Sequence, residues 1–342
     1  MHEPVKIWVQ ATTRCNMDCI QCYDDVCSPE GRPDELTLEE HKKLVDYYVD
    51  NGIMHVFYEG GEPFLRPDFL DLVEYSGRRL MTWIRTNGTL LDQPTVDRLV
   101  GAGVNTVVVD LFAARKETHE RITGLPGSYD LAVEGIRRLV DSPIKVIMAC
   151  IVNRYSAPEL QEYTELASSL GVPRVGCLRL YPLGRAKQNW SDLSVSLDRM
   201  TEAIESVQPP DDVYFMKSWH PKNANCCWQS IALDASGTAI GCPYLRGLVD
   251  FGSVREVPLL QTWDDPLHRQ LRDATGPGGC DGCYGTSKTR GGCRSTAYAF
   301  TGRWDGQDPF CSEMNNGTDL TRLPEEYLRR SLPVYQPGRL AG

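Results

Sequence analysis

The chain has 342 residues, 41% of them hydrophobic and 24% charged, with a formal net charge of −10 at neutral pH. That apolar content is ample for a large core, while the acidic balance argues against a nucleic-acid groove and favours neutral or cationic substrates. No stretch approaches the apolar length a bilayer crossing requires. The opening "MHEPVKIWVQATT" holds one Lys and no long apolar run, so it reads as a strand and not as a secretory leader. Thirteen cysteines, an odd count, fall mostly in two clusters that include two C-x2-C pairs. That usage fits metal or cluster ligation in a reducing cytoplasm better than disulfides.

Taken in chain order, "KIWVQATT" is the first strand, and a long loop with Cys15, Cys19 and Cys22 follows it. "TLEEHKKLVDYYVDNG" predicts a helix in which Thr37 caps, Glu40 completes a capping box and Gly52 ends the run. Further strands are expected at "HVFYE", "MTWIRTNG", "TVVVDLF", "KVIMACIVN" and "RVGCLRLYP", with helices such as "DLAVEGIRRLV" and "APELQEYTELASSL" between them. Six such βα units up to about residue 186 imply a parallel sheet covered by helices, either an open barrel or a doubly wound sheet. Chemistry in such folds sits at the C-terminal ends of the strands. "SLDRMTEAIESV" connects to a different kind of chain. After Pro209-Pro210, residues 211–317 are rich in Cys and Gly with little long periodicity, which suits a small domain held by metal centres. The tail, 318–342, reads as a short helix and extended chain.

Three thiols in the C-x3-C-x2-C run "CNMDCIQC" are compatible with a disulfide knot, a zinc site, a redox pair or an iron–sulfur cradle. Three thiolates can hold three irons of a cubane and leave the fourth open to a small molecule. A structural zinc site would want its fourth position closed. The run "CNMDCIQCY", the "YEGGEP" that ends the second strand and the "RTNGT" that ends the third together resemble the radical S-adenosylmethionine superfamily. The resemblance implies an α/β fold with a partial (β/α)6 TIM-like barrel over residues 1–190. It also implies a [4Fe–4S] cluster on Cys15, Cys19 and Cys22, with S-adenosylmethionine chelating the open iron. Reductive cleavage then yields a 5′-deoxyadenosyl radical, which takes hydrogen from an unactivated carbon. On the same resemblance Gly60, Gly61, Glu62 and Pro63 would hold the methionyl amine, with the glycines permitting close approach. Thr86 and Asn87 would reach the cofactor from the third strand, and Asn153 and Arg179 its ribose and carboxylate.

Beyond a connecting helix and linker at 191–210, the pattern Cys227, Gly237, Cys242, Cys280, Cys283, Cys293 and Cys311 resembles the auxiliary-cluster domain called SPASM, or its shortened twitch form, over 211–317. Two departures stand out. Thr289 occupies the place of one expected cysteine, and the first cysteine of the full set is missing, with Cys226 merely adjacent. By the family scheme Cys227, Cys242 and Cys293 would serve one auxiliary [4Fe–4S] cluster and Cys280, Cys283 and Cys311 a second, each group lacking a fourth cysteine. Either both clusters form, or one is lost and its cysteines regroup. A zinc ribbon on Cys280 and Cys283 is the alternative.

Cys177 lies two residues before Arg179, so the two side chains share a face. If Arg179 points to the cofactor, Cys177 enters the same cavity as a hydrogen donor; Cys150 and Cys27 are weaker candidates, and Cys177 as simple core packing is the alternative. Asp110 and Glu59 stand at strand ends where they could orient substrate or act as a base; satisfied salt bridges are the plainer expectation. His55 and His119 read as ordinary. The compact length, acidic charge, polar strand ends and incomplete auxiliary set resemble the epimerases and dehydrogenases of the same superfamily that act on aminoglycosides or aminocyclitols. That resemblance implies a cytoplasmic enzyme that abstracts hydrogen from a carbinol carbon of a small sugar or aminocyclitol, giving epimerisation or oxidation to a ketone. A flavodoxin- or ferredoxin-like reductant would supply electrons. Because the chain starts directly on its first strand, no fused leader-binding domain is expected. A ribosomal-peptide maturase is the second reading, and a zinc-stabilised binding protein without catalysis the third.

Overall fold

The structure is a computed structural model of the chain, and it describes residues 4–25, 27–218, 230–273, 292–312, 315–330 and 333–337. Cys226, Cys227, Cys280, Cys283 and Thr289 therefore lie outside the described residues.

The six expected strands form: β1 (Lys6–Gln10), β2 (His55–Glu59), β3 (Met81–Thr86), β4 (Thr106–Asp110), β5 (Lys145–Val152) and β6 (Arg174–Arg179). Two short strands extend the sheet, β7 (Tyr214–Met216) on β6 and β8 (Ser230–Leu233) on β1. The order is β7-β6-β5-β4-β3-β2-β1-β8, every pairing parallel, in a partial barrel. Both added strands come from the stretch assigned above to the Cys-rich domain, so the sheet draws on that stretch too. Parallel neighbours require crossovers, supplied here by α1 (Leu38–Asp50), α2 (Phe69–Gly77), α3 (Gln93–Ala102), α4 (Lys116–Thr123), α5 (Ser128–Val140) and α6 (Leu160–Ser169). The expected capping box starts α1: Thr37 N–H donates to Glu40 Oε2 at 2.7 Å, and Glu40 N–H donates to Thr37 Oγ1 at 3.3 Å.

Alternation along each strand divides the sheet into two faces. Phe57, Val108, Ile147 and Ala149 pack with Trp8, Trp83, Leu178 and Met216 as an apolar inner floor. Moving two residues up the same face brings Glu59 on β2, Arg85 on β3, Asp110 on β4 and Ile151 on β5 to the rim of a cavity. The opposite face, with Ile7, Val56, Ile84, Val107, Met148 and Val175, packs under the helices as the main core. No helix of the described residues is long and apolar enough to cross a membrane.

Candidate active site

The cysteine loop is laid down by the ends of β1 and β2. Gly61 N–H donates to Thr12 O at 2.8 Å and Glu62 N–H to Arg14 O at 2.6 Å, so the chain after β2 runs against the start of the loop. The contact is too close for side chains. A Cβ on Gly61 would lie 2.2 Å from Arg14 O and 2.9 Å from Cys15 Cβ, and one on Gly60 would lie 2.8 Å from Thr12 O. These glycines are thus required by the cysteine loop itself. From the far side, Asp18 N–H and Ile20 N–H donate to Thr123 O and Ile122 O at the end of α4, and Ala186 N–H donates to Cys22 O.

Glu62 ties the loop to β3. It is fully buried, caps the short 3-10 turn Pro63–Leu65 through Phe64 N–H, and accepts Thr86 Oγ1–H and Asn87 N–H, both at 2.8 Å. Burial raises its pKa to about 7, the three donors opposing that rise. Asn87 Nδ2–H donates to Asn16 Oδ1, Asn16 Nδ2–H to Thr89 Oγ1, and Thr89 Oγ1–H to Asn87 Oδ1, a closed ring between loop and strand end. The structure therefore gathers Gly60, Gly61, Glu62, Thr86 and Asn87 as the sequence implied.

Cys15, Cys19, Cys22 and Cys27 line one cavity of about 680 Å³, part of it open to solvent, with Gly60, Gly61, Thr86, Asn87, Glu59, Arg85, Asp110, Phe112, Ile151 and Arg185 among its walls. Burial raises the Cys15 thiol to about 11 and pushes Cys19 up further; Cys22 moves down because the Cys27 thiol donates to it. Among the described residues no three Cys, His, Asp or Glu side chains converge on one ion-sized point.

The cavity's charged groups are paired. Arg85 grips Asp110 with Nε at 2.8 Å and Nη2 at 2.9 Å; burial raises the Asp110 pKa and Arg85 opposes it. Arg246, on the turn after Cys242, donates to Glu59 at 3.0 Å and to Asp24 at 3.2 Å. Tyr23 O–H also donates to Glu59, at 2.9 Å, and Tyr244 stacks on Tyr181 at 3.7 Å. Arg185 pairs with Asp18. Asp110 and Glu59 are thus held carboxylates on the cavity wall, the plainer of the two expectations.

The remaining expected residues divide. Asn153 is buried outside the cavity lining; its Oδ1 accepts Tyr155 N–H and Ser156 N–H, and its Nδ2–H donates to Gln21 Oε1 at 2.6 Å. Arg179 does not line the cavity. It is fully buried and donates to both oxygens of Asp308, at 2.9 and 2.7 Å. Cys177 requires a correction. It does share a face with Arg179, but that is the helix-side face: its register partner is Cys150, one residue out of phase with inward Ala149 and Ile151, and both cysteines belong to the main core under the helices. Cys177 is core packing, and neither it nor Cys150 reaches the cavity.

Sequence reasoning missed Gln21 and Arg246. Gln21 is 2% exposed, lines the cavity between Cys19 and Cys22, and its Nε2 has no acceptor in the structure. Its place inside the cysteine run was the available signal. Arg246 lies 187 residues from Glu59, and nothing local marks it.

The donor set fits an iron–sulfur cluster with a bound organic cofactor. Three thiols of one short run face one cavity, the backbone at Gly60 and Gly61 lines it, and a buried amide donor there lacks an acceptor. Comparison with known proteins agrees. Residues 9–167 match the radical SAM superfamily, and residues 226–284 match the SPASM iron–sulfur cluster-binding domain. The chain is 26% identical over 336 residues to the AdoMet-dependent heme synthase of Methanosarcina barkeri, covering 88% of this chain and 94% of that protein. It is 27% identical over 327 residues to the PqqA peptide cyclase of Granulibacter bethesdensis, covering 90% and 87%. In fold it is similar to Streptococcus suis SuiB bound to precursor peptide SuiA, with a TM-score of 0.71 at 17% identity, covering 91% of this chain and 76% of that one. Over residues 9–167 the chain has the radical SAM fold and over 226–284 a SPASM iron–sulfur cluster-binding domain, with a [4Fe–4S] cluster, SPASM auxiliary clusters and S-adenosylmethionine as its cofactors.

Proposed function

We propose that this enzyme modifies a peptide, taking hydrogen from one of its carbons, and that the small-sugar reading gives way to this one. When bound, the cluster and S-adenosylmethionine supply abstraction of hydrogen from an unactivated carbon. Cys15, Cys19 and Cys22 would hold the cluster. Gly60 and Gly61 would offer backbone to the methionyl amine, and Glu62, kept in place by Thr86 and Asn87, would set the height of that backbone. Gln21 would give its free amide N–H to a cofactor acceptor, its other end fixed by Asn153. The Tyr181–Tyr244 stack and Arg246 would shield the cavity from water on the side of the C-terminal region.

The observation that carries the substrate class is the state of the guanidiniums. Arg85, Arg246 and Arg185 each already hold a carboxylate, and Arg246 holds two. A porphyrin, with its carboxylate arms, would meet Glu59, Asp24 and Asp110 with no uncommitted cation among the described residues lining the cavity to receive it, whereas a neutral or cationic peptide segment meets no such repulsion. The likeness to a peptide cyclase over most of both chains supports the same class. One support of the small-sugar reading was Cys177 as a hydrogen donor, and Cys177 is on the helix-side face.

The test is anaerobic turnover with a strong reductant and S-adenosylmethionine against a short-peptide library, a porphyrin and an aminocyclitol panel. A peptide that changes mass while 5′-deoxyadenosine accumulates is the expected result. Modification of only the porphyrin or the aminocyclitols would overturn the proposal.

A further inference from the structure

Outside the cavity, the densest unexplained polar cluster surrounds Cys293, at the N-terminus of the eight-residue helix Arg294–Thr301. The sulfur of Cys293 takes the Thr296 backbone N–H and has Ser295 Oγ at 3.4 Å. Asp308 organises the surroundings. One carboxylate oxygen accepts Cys293 N–H at 2.8 Å, the other accepts Phe310 N–H at 3.1 Å, and its carbonyl accepts Cys311 N–H at 3.0 Å. Arg179 neutralises it with both partners 0–1% exposed. One residue thereby fixes the backbone at two of the expected cluster cysteines, Cys293 through its carboxylate and Cys311 through its own carbonyl.

In the helix that Cys293 caps, two donors are not accounted for. Arg294 is fully buried; its Nε and Nη1 serve the carbonyls of Gly292, Trp304 and Gly306, yet Nη2 has no acceptor among the described residues. Thr296 is also fully buried, and its Oγ1 has none either, not even the carbonyl one turn back that helical Thr commonly uses. Orphan donors of this kind are rare because each costs about 1–3 kcal/mol. They share the first turn of this helix with a cysteine sulfur and the helix N-terminus, next to the neutralised Arg179–Asp308 pair, and such donors suit a ligand with several soft, anionic acceptors. Inorganic sulfide and cysteine thiolate are such acceptors.

We propose that Arg294 Nη2 and Thr296 Oγ1 are hydrogen-bond donors to the sulfurs of the auxiliary cluster at Cys293, and that they raise its reduction potential, with Asp308 as the positioning residue for Cys293 and Cys311. Donors to cluster sulfur stabilise the more negative, reduced state. The pair therefore makes this centre easier to reduce than it would be without them.

The test uses the full chain with Cys15→Ala, Cys19→Ala and Cys22→Ala, so that the remaining iron signal belongs to the auxiliary region. Thr296→Val, which keeps the shape, and Arg294→Lys, which keeps the charge, are compared with this parent by EPR-monitored redox titration and by melting of the iron-free protein. Thr296→Val is expected to keep its iron and melt no lower than its parent, because the lost hydroxyl had no partner in the chain. Its reduced-to-oxidised ratio at fixed potential should fall about tenfold, equal to about 59 mV for one electron. Arg294→Lys should shift it the same way. A potential unchanged in both variants, or a parent that takes up no auxiliary iron, would overturn the proposal.

Discussion

The two cysteine regions are built by different means. In the first, Cys15, Cys19 and Cys22 are half-buried, and the loop between them is placed by main-chain hydrogen bonds to Thr12, Arg14, Ile122 and Thr123. In the second, Cys242 and Cys293 are buried, and placement runs through a buried ion pair whose partners lie 129 residues apart. Neutral backbone bonds leave the first thiols facing a cavity that a small molecule can enter. A charged hub fixes Cys293 in the second. The difference teaches that one chain can hold cysteines half-buried in one region and buried in another by choosing which polar groups fix them.

The contrast can be broken by substitution. Replacing Asp308 with Ala strands Arg179 without its carboxylate in a dry site, which costs about 3–5 kcal/mol. Denaturant unfolding should show that loss, together with reduced auxiliary iron and an intact first cluster; equal loss from both regions would deny their independence. Gly61→Ala attacks the other side. Its methyl meets Arg14 O at 2.2 Å, so the loop must shift, at about 1–3 kcal/mol. Iron should drop in the first region only. Gly101→Ala, in the body of α3 with open space around it, is the control and should stabilise by about 0.5–1 kcal/mol.

Acid should act on both regions through buried histidines. Burial lowers His41 to about 3 and His119 and His268 to about 4, from an ordinary value near 6.5. His119 Nδ1 accepts Phe112 N–H, which needs the neutral ring, whereas the contact of His268 Nδ1 with Thr262 O at 3.0 Å opposes the lowering by burial. A folded pKa below the unfolded one means their contribution is complete above about pH 6.5 and is lost as pH falls toward 4. The melting temperature should decline across that window, and a flat profile would contradict the burial. The smallest effect expected is from Thr37→Ala, which removes the α1 cap for about 1 kcal/mol and leaves both iron contents unchanged; thermal melting and iron analysis check it.

How much of this was legible in the chain follows the same division. The six strands and the α1 capping box are local patterns, and the Cys15–Cys22 run and Gly60–Pro63 are short motifs whose roles depend on neighbours in sequence. β7 and β8 were not foreseen, since three or four residues carry too little alternation to stand out. Cys177 misled because an i, i+2 spacing tells which residues share a face and not which face is inward; the register against Ala149 decided that. Arg246, Asp308 and the pairing of Arg179 were invisible, each depending on a partner more than a hundred residues away.

The central claim is that Cys15, Cys19 and Cys22 carry the cluster that works on S-adenosylmethionine. Replacing all three with Ala and assaying reductive cleavage of S-adenosylmethionine under anaerobic conditions tests it directly. The account predicts no 5′-deoxyadenosine from a folded protein that still retains auxiliary iron; cleavage at the unsubstituted rate would contradict it.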